Sequence, residues 1–324
     1  IGAGHLGRIH AKLAKSSEQY EVVGVADPSP AALQLVTDQL GLPTFTEYTQ
    51  LLGKVDAAVV AAPTMLHYEV ASTLLRSGIH VLVEKPLATN PEQAGRLVQI
   101  ARHHNRVLQT GHVERFNPVW TAAIPYLRQP KYIEGMRAGP YSGRSTDIGV
   151  VMDLMIHDLD IILKMIPYPV RTVQASGVAI VSPSPDIANA RIVFENGAVA
   201  NVTASRISMK NMRKLRIFQP DAYLSLDFLE KKTEVVRIHE TLPEGKDNCM
   251  ELDTINGKRY IELDMPEVVA NNAIKMELEA LADSILKDKK TLVPIEDGLK
   301  ALELAYWVIE EIEKHQELVV SHKS

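Results

Sequence analysis

Short apolar runs alternate with helical stretches through the first third of the chain. The runs are EVVGVA at Glu21 to Ala26, AAVVAAP at residues 57 to 63, IHVLVEKP at 79 to 86 and NRVLQTGH at 105 to 112. Residues 5 to 15, 65 to 77 and 91 to 104 read as helices around and between them. That alternation predicts a mostly parallel, doubly wound sheet whose ligands gather at the C-terminal ends of its strands.

From about residue 118 the rhythm changes. A helix near 118 to 128, a strand near 131 to 138 and a helix near 149 to 165 come first. Runs rich in Val, Ile and Thr then recur at 170 to 181, 188 to 195, 198 to 206, 213 to 219, 222 to 228 and 234 to 240. Strands so closely spaced predict a large open, mostly antiparallel sheet, with the ENG at 195 to 197 as a tight hairpin turn. Helices cover one face of such a sheet; a second copy of the chain or solvent meets the other. Two late helices, 270 to 288 and 296 to 314, are expected to pack back on the body.

The chain has 324 residues, 46% of them apolar, which is long and apolar enough for two cores. The expected fold class is therefore α/β, with a Rossmann domain at 1–117 joined to an α+β domain at 118–324. A formal net charge of −5 without a basic block argues against nucleic acid as a partner, and no apolar run approaches a bilayer span, so no membrane role is expected. Cys249 is the sole cysteine, excluding an intrachain disulfide and a cysteine-rich metal site. Ile1 falls at the end of where the first strand belongs, so the natural start is read as missing; the cytoplasm is the working location.

The sharpest chemical signal is IGAGHLG at the opening. Gly2, Gly4 and Gly7, with His5 and Leu6 between them, form a GxGxxG turn ahead of the first helix, and Asp27 follows the apolar run twenty residues later. Glycines there let the backbone approach a pyrophosphate and let helix meet sheet, while an acid accepts hydrogen bonds from the adenine-ribose hydroxyls. The carboxylate favours NAD over NADP, whose 2′-phosphate would bring like charges together; alternatively Asp27 only starts the ADPSP turn.

Further candidates stand at strand ends. Pro63 and Thr64 fit cofactor contacts, and His67 fits either a contact or the packing of the next helix. In Glu84-Lys85-Pro86 a lysine leaves a strand end that the proline stiffens, so Lys85 can point into the dinucleotide crevice. Asp153 and His157 stand four residues apart on a helix, close enough for the carboxylate to orient an imidazole used in proton transfer. The chain contains no HxH or HExxH array, and NAD already accepts the electrons, so no metal is expected.

These glycines, Glu84-Lys85-Pro86 and the Asp153 and His157 pair resemble the Gfo/Idh/MocA family of glucose–fructose oxidoreductases and inositol dehydrogenases, in order and over nearly the whole chain. The resemblance implies a sugar-oxidising enzyme with Lys85, Asp153 and His157 catalytic; Glu84 and Lys85 are also read as cofactor contacts. It also implies a C-terminal open sheet that carries the sugar site and builds a homodimer or homotetramer, and a cis Lys85-Pro86 bond. GHVERFNP at 111 to 118 with RSTDIGVVMDLMIHDLD at 144 to 160 is similar to the UDP-N-acetylglucosamine 3-dehydrogenases. His112, Arg115, Asn117 and Arg144 then fit substrate or phosphate contacts, although Arg115 and Asn117 equally fit a cap and anchor for the helix entering the second domain. A free-sugar or cyclitol dehydrogenase and a non-catalytic dinucleotide-binding sensor are the competing readings.

Overall fold

The computed structural model describes residues 1–141, 148–245 and 249–321. They form two units, one of Ile1–Phe116 with Asn272–Tyr306 and one of Asn117–Asn271 with the residues from Trp307 on. The break after Phe116 lies one residue from the sequence division, but residues 272 to 306 group with the first unit instead of the second.

In the first unit, α1 (His5–Lys15), α2 (Pro30–Leu40), α3 (Thr64–Arg76) and α4 (Pro91–His103) alternate with strands β1 (Val25–Ala26), β2 (Thr44–Phe45), β3 (Ala57–Val60), β4 (His80–Glu84) and β5 (Leu108–Gly111). All paired strands are parallel, in sets β1-β2 and β3-β4-β5. Residues 1 and 2 join the sets: the Gly2 amide donates to the Ala26 carbonyl, and the Ala61 amide donates to the Ile1 carbonyl. A cavity of about 430 Å³ in this unit is lined by Gly24, Val25, Ala57, Ala58, Leu278 and Ala282.

Of the strand expected over 21 to 26, Val25–Ala26 is the part paired as a strand among the described residues, against Thr44–Phe45. Helix α2, absent from the reading, has a plain start signal: Ser29 accepts the Ala32 amide and Pro30 takes the first helical position. The late helix α7 (Ala273–Leu286) joins this unit because Leu278 and Leu281 pack with Leu82 in one fully buried cluster. Each such side chain contributes about 1.5–3 kcal/mol.

The described part of the second unit carries a nine-stranded open sheet in the order β13-β14-β12-β11-β10-β6-β9-β8-β7. The strands are β6 (Tyr132–Ala138), β7 (Val170–Val178), β8 (Ile187–Phe194), β9 (Val199–Ser205), β10 (Met212–Gln219), β11 (Ala222–Asp227), β12 (Lys232–His239), β13 (Met250–Thr254) and β14 (Gly257–Asp264). β6 and β9 run parallel and the other neighbouring pairs antiparallel, so the sheet is mixed but mostly antiparallel. Gly197, at φ +78°, closes the turn between β8 and β9 where ENG predicts it.

Alternation sets the faces. Ala190, Ile192, Ala200, Val202, Leu215 and Leu224 are fully buried on one side. The opposite side is half-open and polar or aromatic, with Arg216 bonded to Glu134 at 2.8 Å and lying over Phe218 and Tyr223. β13 and β14 escape the sequence reading because MELDT and GKRYIELD mix charges into both faces; MELDT is exposed throughout and GKRYIELD is at most half-buried.

Two helices also differ from expectation. The one read over 118 to 128 stops as α5 (Pro118–Ala123) and tightens into a 3-10 turn at Ile124–Tyr126, since Pro125 supplies no amide hydrogen. The one read over 149 to 165 opens as a π turn at Val151–Met155 before α6 (Ile156–Met165). The last helix, α8 (Ile295–Ser321), contributes to the first unit through Tyr306 and to the second from Trp307; there Gln316 donates to the Gly177 carbonyl at 3.1 Å. Among the described residues no helix is long and apolar enough to cross a membrane.

Candidate functional site

The opening glycines do different work. Gly2 sits at φ +94°, where a Cβ would come 2.5 Å from the Ala61 carbonyl oxygen, and a Cβ on Gly7 would come 1.9 Å from the Gly2 oxygen. Gly4 faces open space and caps α1 without a side-chain bond, and α1 has no acid in its first turn. Two glycines thus close the turn, and the third bares the first-turn N–H groups of a helix whose positive end suits a pyrophosphate. His5 is exposed beside Gly4, and Leu6 is half-buried.

Asp27 starts the turn and braces the glycine loop. Its Oδ1 accepts the Ser29 amide at 2.8 Å, starting the turn, and its Oδ2 accepts the Ala3 amide at 2.7 Å. A carboxylate has about four acceptor positions, so it retains capacity for two ribose hydroxyls. Arg8 donates to the Ala3 carbonyl at 2.7 Å and braces the same loop. The fold and these groups fit a dinucleotide.

Pro63 caps α3 and Thr64 opens it, at the end of β3. His67 is buried, its Nδ1 2.9 Å from the Pro86 carbonyl and its Nε2 2.8 Å from the Ala62 carbonyl. Burial pushes its pKa down, against the two carbonyls and Glu84, which push it up. With both ring nitrogens facing carbonyls, His67 ties the start of α3 to the turn after β4, the packing role that the sequence allows it. Lys85-Pro86 is cis and Lys85 half-buried. Glu84 turns its Oε1 to His10 Nε2 at 2.6 Å, and its Oε2 accepts the Lys85 amide at 3.3 Å.

The turn after β5 contains His112, Glu114 and Arg115, all buried. Arg115 Nη2 lies 3.2 Å from Asp297 in the same unit, and Asn117 accepts the Val119 amide at the start of α5. Both therefore carry the anchoring and capping roles that the sequence allows them. Arg144 lies outside the described residues.

In the second unit, Asp153 stands on the π turn and His157 in the first turn of α6, both half-buried. The register between them is therefore not that of a plain α-helix. Asp158 is buried and receives Arg137 of β6, through Nη2 at 2.8 Å and Nε at 3.2 Å. Asp160 is buried as well, so this run of acids is not a wet helix face. Arg206 also lies inside: it donates to Asp186 at 2.9 Å, to the Ile148 carbonyl and to Ser182 and Ser184. Arg191 stays on the surface.

Arg137, His10 and Glu277 escape the sequence reading, although each leaves a trace. Arg137 shares strand parity with buried Ile133, His10 stands three residues after Gly7 on the sheet-facing side of α1, and Glu277 adjoins Leu278 in the apolar stripe of α7. A charge on an apolar face is the signal that finds them.

Residues 1–112 match the family model described as an oxidoreductase family with an NAD-binding Rossmann fold, and residues 127–223 match the GFO/IDH/MocA C-terminal domain. The chain belongs to the Gfo/Idh/MocA oxidoreductase family. Gfo/Idh/MocA proteins similar to it include the UDP-N-acetylglucosamine 3-dehydrogenase of Acidithiobacillus ferrooxidans, 40% identical over 240 residues, which are 72% of this chain and 75% of that protein. The scyllo-inositol 2-dehydrogenase (NAD(+)) of Bacillus subtilis is 28% identical over 227 residues, 64% of this chain and 66% of that one. A solved structure of the A. ferrooxidans enzyme superposes with a TM-score of 0.87 at 31% identity, covering 97% of this chain and 96% of the other. This Gfo/Idh/MocA chain is thus an NAD-dependent oxidoreductase acting on a CH–OH group.

Proposed function

We propose that this enzyme oxidises the 3-hydroxyl of UDP-N-acetylglucosamine or a related nucleotide sugar by hydride transfer, working in the cytoplasm as a homodimer or homotetramer. The observation that carries the reading is the 40% identity over 240 residues to an enzyme named for that reaction. The half-open sheet face around Arg216, Phe218 and Tyr223 supports a homo-oligomeric contact.

Bound NAD supplies the hydride acceptor. Backbone amides at the start of α1 bind its pyrophosphate, with Gly2, Gly4, His5, Leu6 and Gly7 shaping the loop, and Asp27 takes ribose hydroxyls. Pro63, Thr64 and Glu84 line the strand ends beside it. Lys85 polarises the substrate oxygen and stabilises its growing negative charge. His157 accepts the hydroxyl proton at a ring nitrogen, and Asp153 orients the ring. The Arg137 and Asp158 pair fixes the first turn of α6 from which His157 projects. Among the substrate candidates, His112 and Arg144 are assigned to the sugar nucleotide, while Arg115 and Asn117 hold the segment that follows β5.

The test is NADH formation by the purified enzyme with UDP-N-acetylglucosamine, UDP-glucose, N-acetylglucosamine and myo-inositol in parallel. Preference for UDP-N-acetylglucosamine supports the reading; turnover of only the free sugar or the cyclitol moves the enzyme toward its inositol-oxidising relatives. Lys85→Met and His157→Asn should each lower kcat by about 100-fold or more. Wild-type turnover in either variant removes that residue from its role.

A further inference from the structure

We propose that His10, Glu84 and Glu277 form one buried proton-holding cluster in which Glu277 is a neutral carboxylic acid, and that this cluster positions Lys85. The three groups come from α1, β4 and α7, and one ligand-type atom of each lies within 4.8 Å of the others. His10 is 3% exposed, Glu84 9% and Glu277 0%. Among the described residues neither carboxylate oxygen of Glu277 has a hydrogen-bond partner, nor does His10 Nδ1.

Charge decides the protonation. Two ionised carboxylates this close together would place two negative charges in the protein interior, where burial heavily penalises an uncompensated charge. Arg115, on the turn packed against α7, pairs with Asp297, Arg8 braces the Ala3 carbonyl, and Lys12 and Lys15 of α1 are exposed. Glu114 adds a further buried acid on that turn. A proton on Glu277 removes one negative charge, and His10 neutralises part of the other by donating from Nε2 to Glu84 at 2.6 Å. Burial, and then the charge on Glu84, pushes the Glu277 carboxyl well above the usual carboxylate range.

A divalent cation would balance the same charges, but its ligand atoms would sit farther apart. At about 2.1 Å from a tetrahedral ion, two ligands stand about 3.4 Å from each other. The 2.6 Å spacing is that of a charge-assisted hydrogen bond.

The cluster reaches Lys85 through Glu84. One oxygen of Glu84 is held by His10 and the other accepts the Lys85 amide. A Cβ on Gly111 would come 2.9 Å from Glu84 Oε2, so only glycine there leaves the carboxylate its place. Held at both oxygens, Glu84 fixes the strand end from which Lys85 leaves.

The protonation state is read by infrared spectroscopy of the full-length chain at pH 7 without substrate, and so independently of the role proposed for Lys85. The expected result is a protonated-carboxyl C=O band in the wild type that shifts in D₂O, disappears in Glu277→Gln and is isotope-shifted by ¹³C-labelled glutamate. If Glu277→Gln does not fold, the labelled wild type alone decides. No protonated glutamate band, or one equivalent of tightly held divalent metal by elemental analysis, overturns the proposal. The positioning half rests on the catalytic reading of Lys85. Glu84→Gln and Glu277→Ala should each lower kcat by about tenfold, with KM for NAD in Glu277→Ala within about twofold, and Glu277→Gln should recover most of the loss. Unchanged kcat in Glu84→Gln, or a Gln variant no better than Ala, overturns the positioning role.

Discussion

The first unit presents its candidate cofactor groups as backbone, bared by glycines that pack against one another, whereas the second carries the proposed catalytic pair Asp153 and His157 on a segment pinned by buried charge pairs. The backbone site carries a motif: Gly2, Gly4 and Gly7 act within one turn, and Asp27, 24 residues on, accepts the Ala3 amide. The side-chain clamps, Arg137 with Asp158 and Arg206 with Asp186, pair across about twenty residues without a motif to mark them. The two units should therefore fail differently when mutated.

The largest effect expected is in the clamp. Arg137→Ala leaves Asp158 buried without that partner and should cost about 3–5 kcal/mol of stability by denaturant unfolding of the second unit. A loss under 1 kcal/mol would mean that the pair does not pin α6. In the first unit, Gly7→Ala forces a Cβ to within 1.9 Å of the Gly2 oxygen. It should cost about 1–3 kcal/mol of stability and weaken NAD binding together. Gly4→Ala sharpens the contrast, because nothing stands within 4 Å of its Cβ. Stability should stay within about 1 kcal/mol while NADH affinity, followed by fluorescence titration, drops about tenfold. Equal damage to fold and affinity at both glycines would contradict the division of labour between them.

The smallest effect is a slope. Burial pushes the Asp186 carboxyl up, but hydrogen bonds from Ser182, from the Ile180 and Val181 amides and from Arg206 outweigh it and hold the group well below its usual value. A depressed folded-state pKa gives stability that is fully present above the unfolded value of about 3.9 and is lost as pH falls below it. Unfolding free energy measured between pH 5 and 3 should therefore fall less steeply in Asp186→Asn than in the wild type.

The same contrast explains what could be read beforehand. Alternating strands and helices, the glycine turn and the cis Lys85-Pro86 bond are local or family-marked, and they stand where expected. The four-residue spacing of Asp153 and His157 was legible but not their register, because Val151–Met155 forms a π turn where the sequence predicts a plain α-helix. His67, Arg115 and Asn117 were legible as polar residues near strand ends; only their partners, Pro86, Asp297 and the Val119 amide, reveal what they hold. β13 and β14 were illegible because exposed strands need no apolar face.

The most direct test of the central claim uses UDP-N-acetylglucosamine deuterated at carbon 3, mixed with enzyme and NAD, with the reduced cofactor analysed by mass spectrometry. The account predicts one deuterium in the reduced cofactor and a 3-oxo sugar nucleotide as product. Reduced cofactor without deuterium, or none from this substrate while myo-inositol is oxidised, would contradict it.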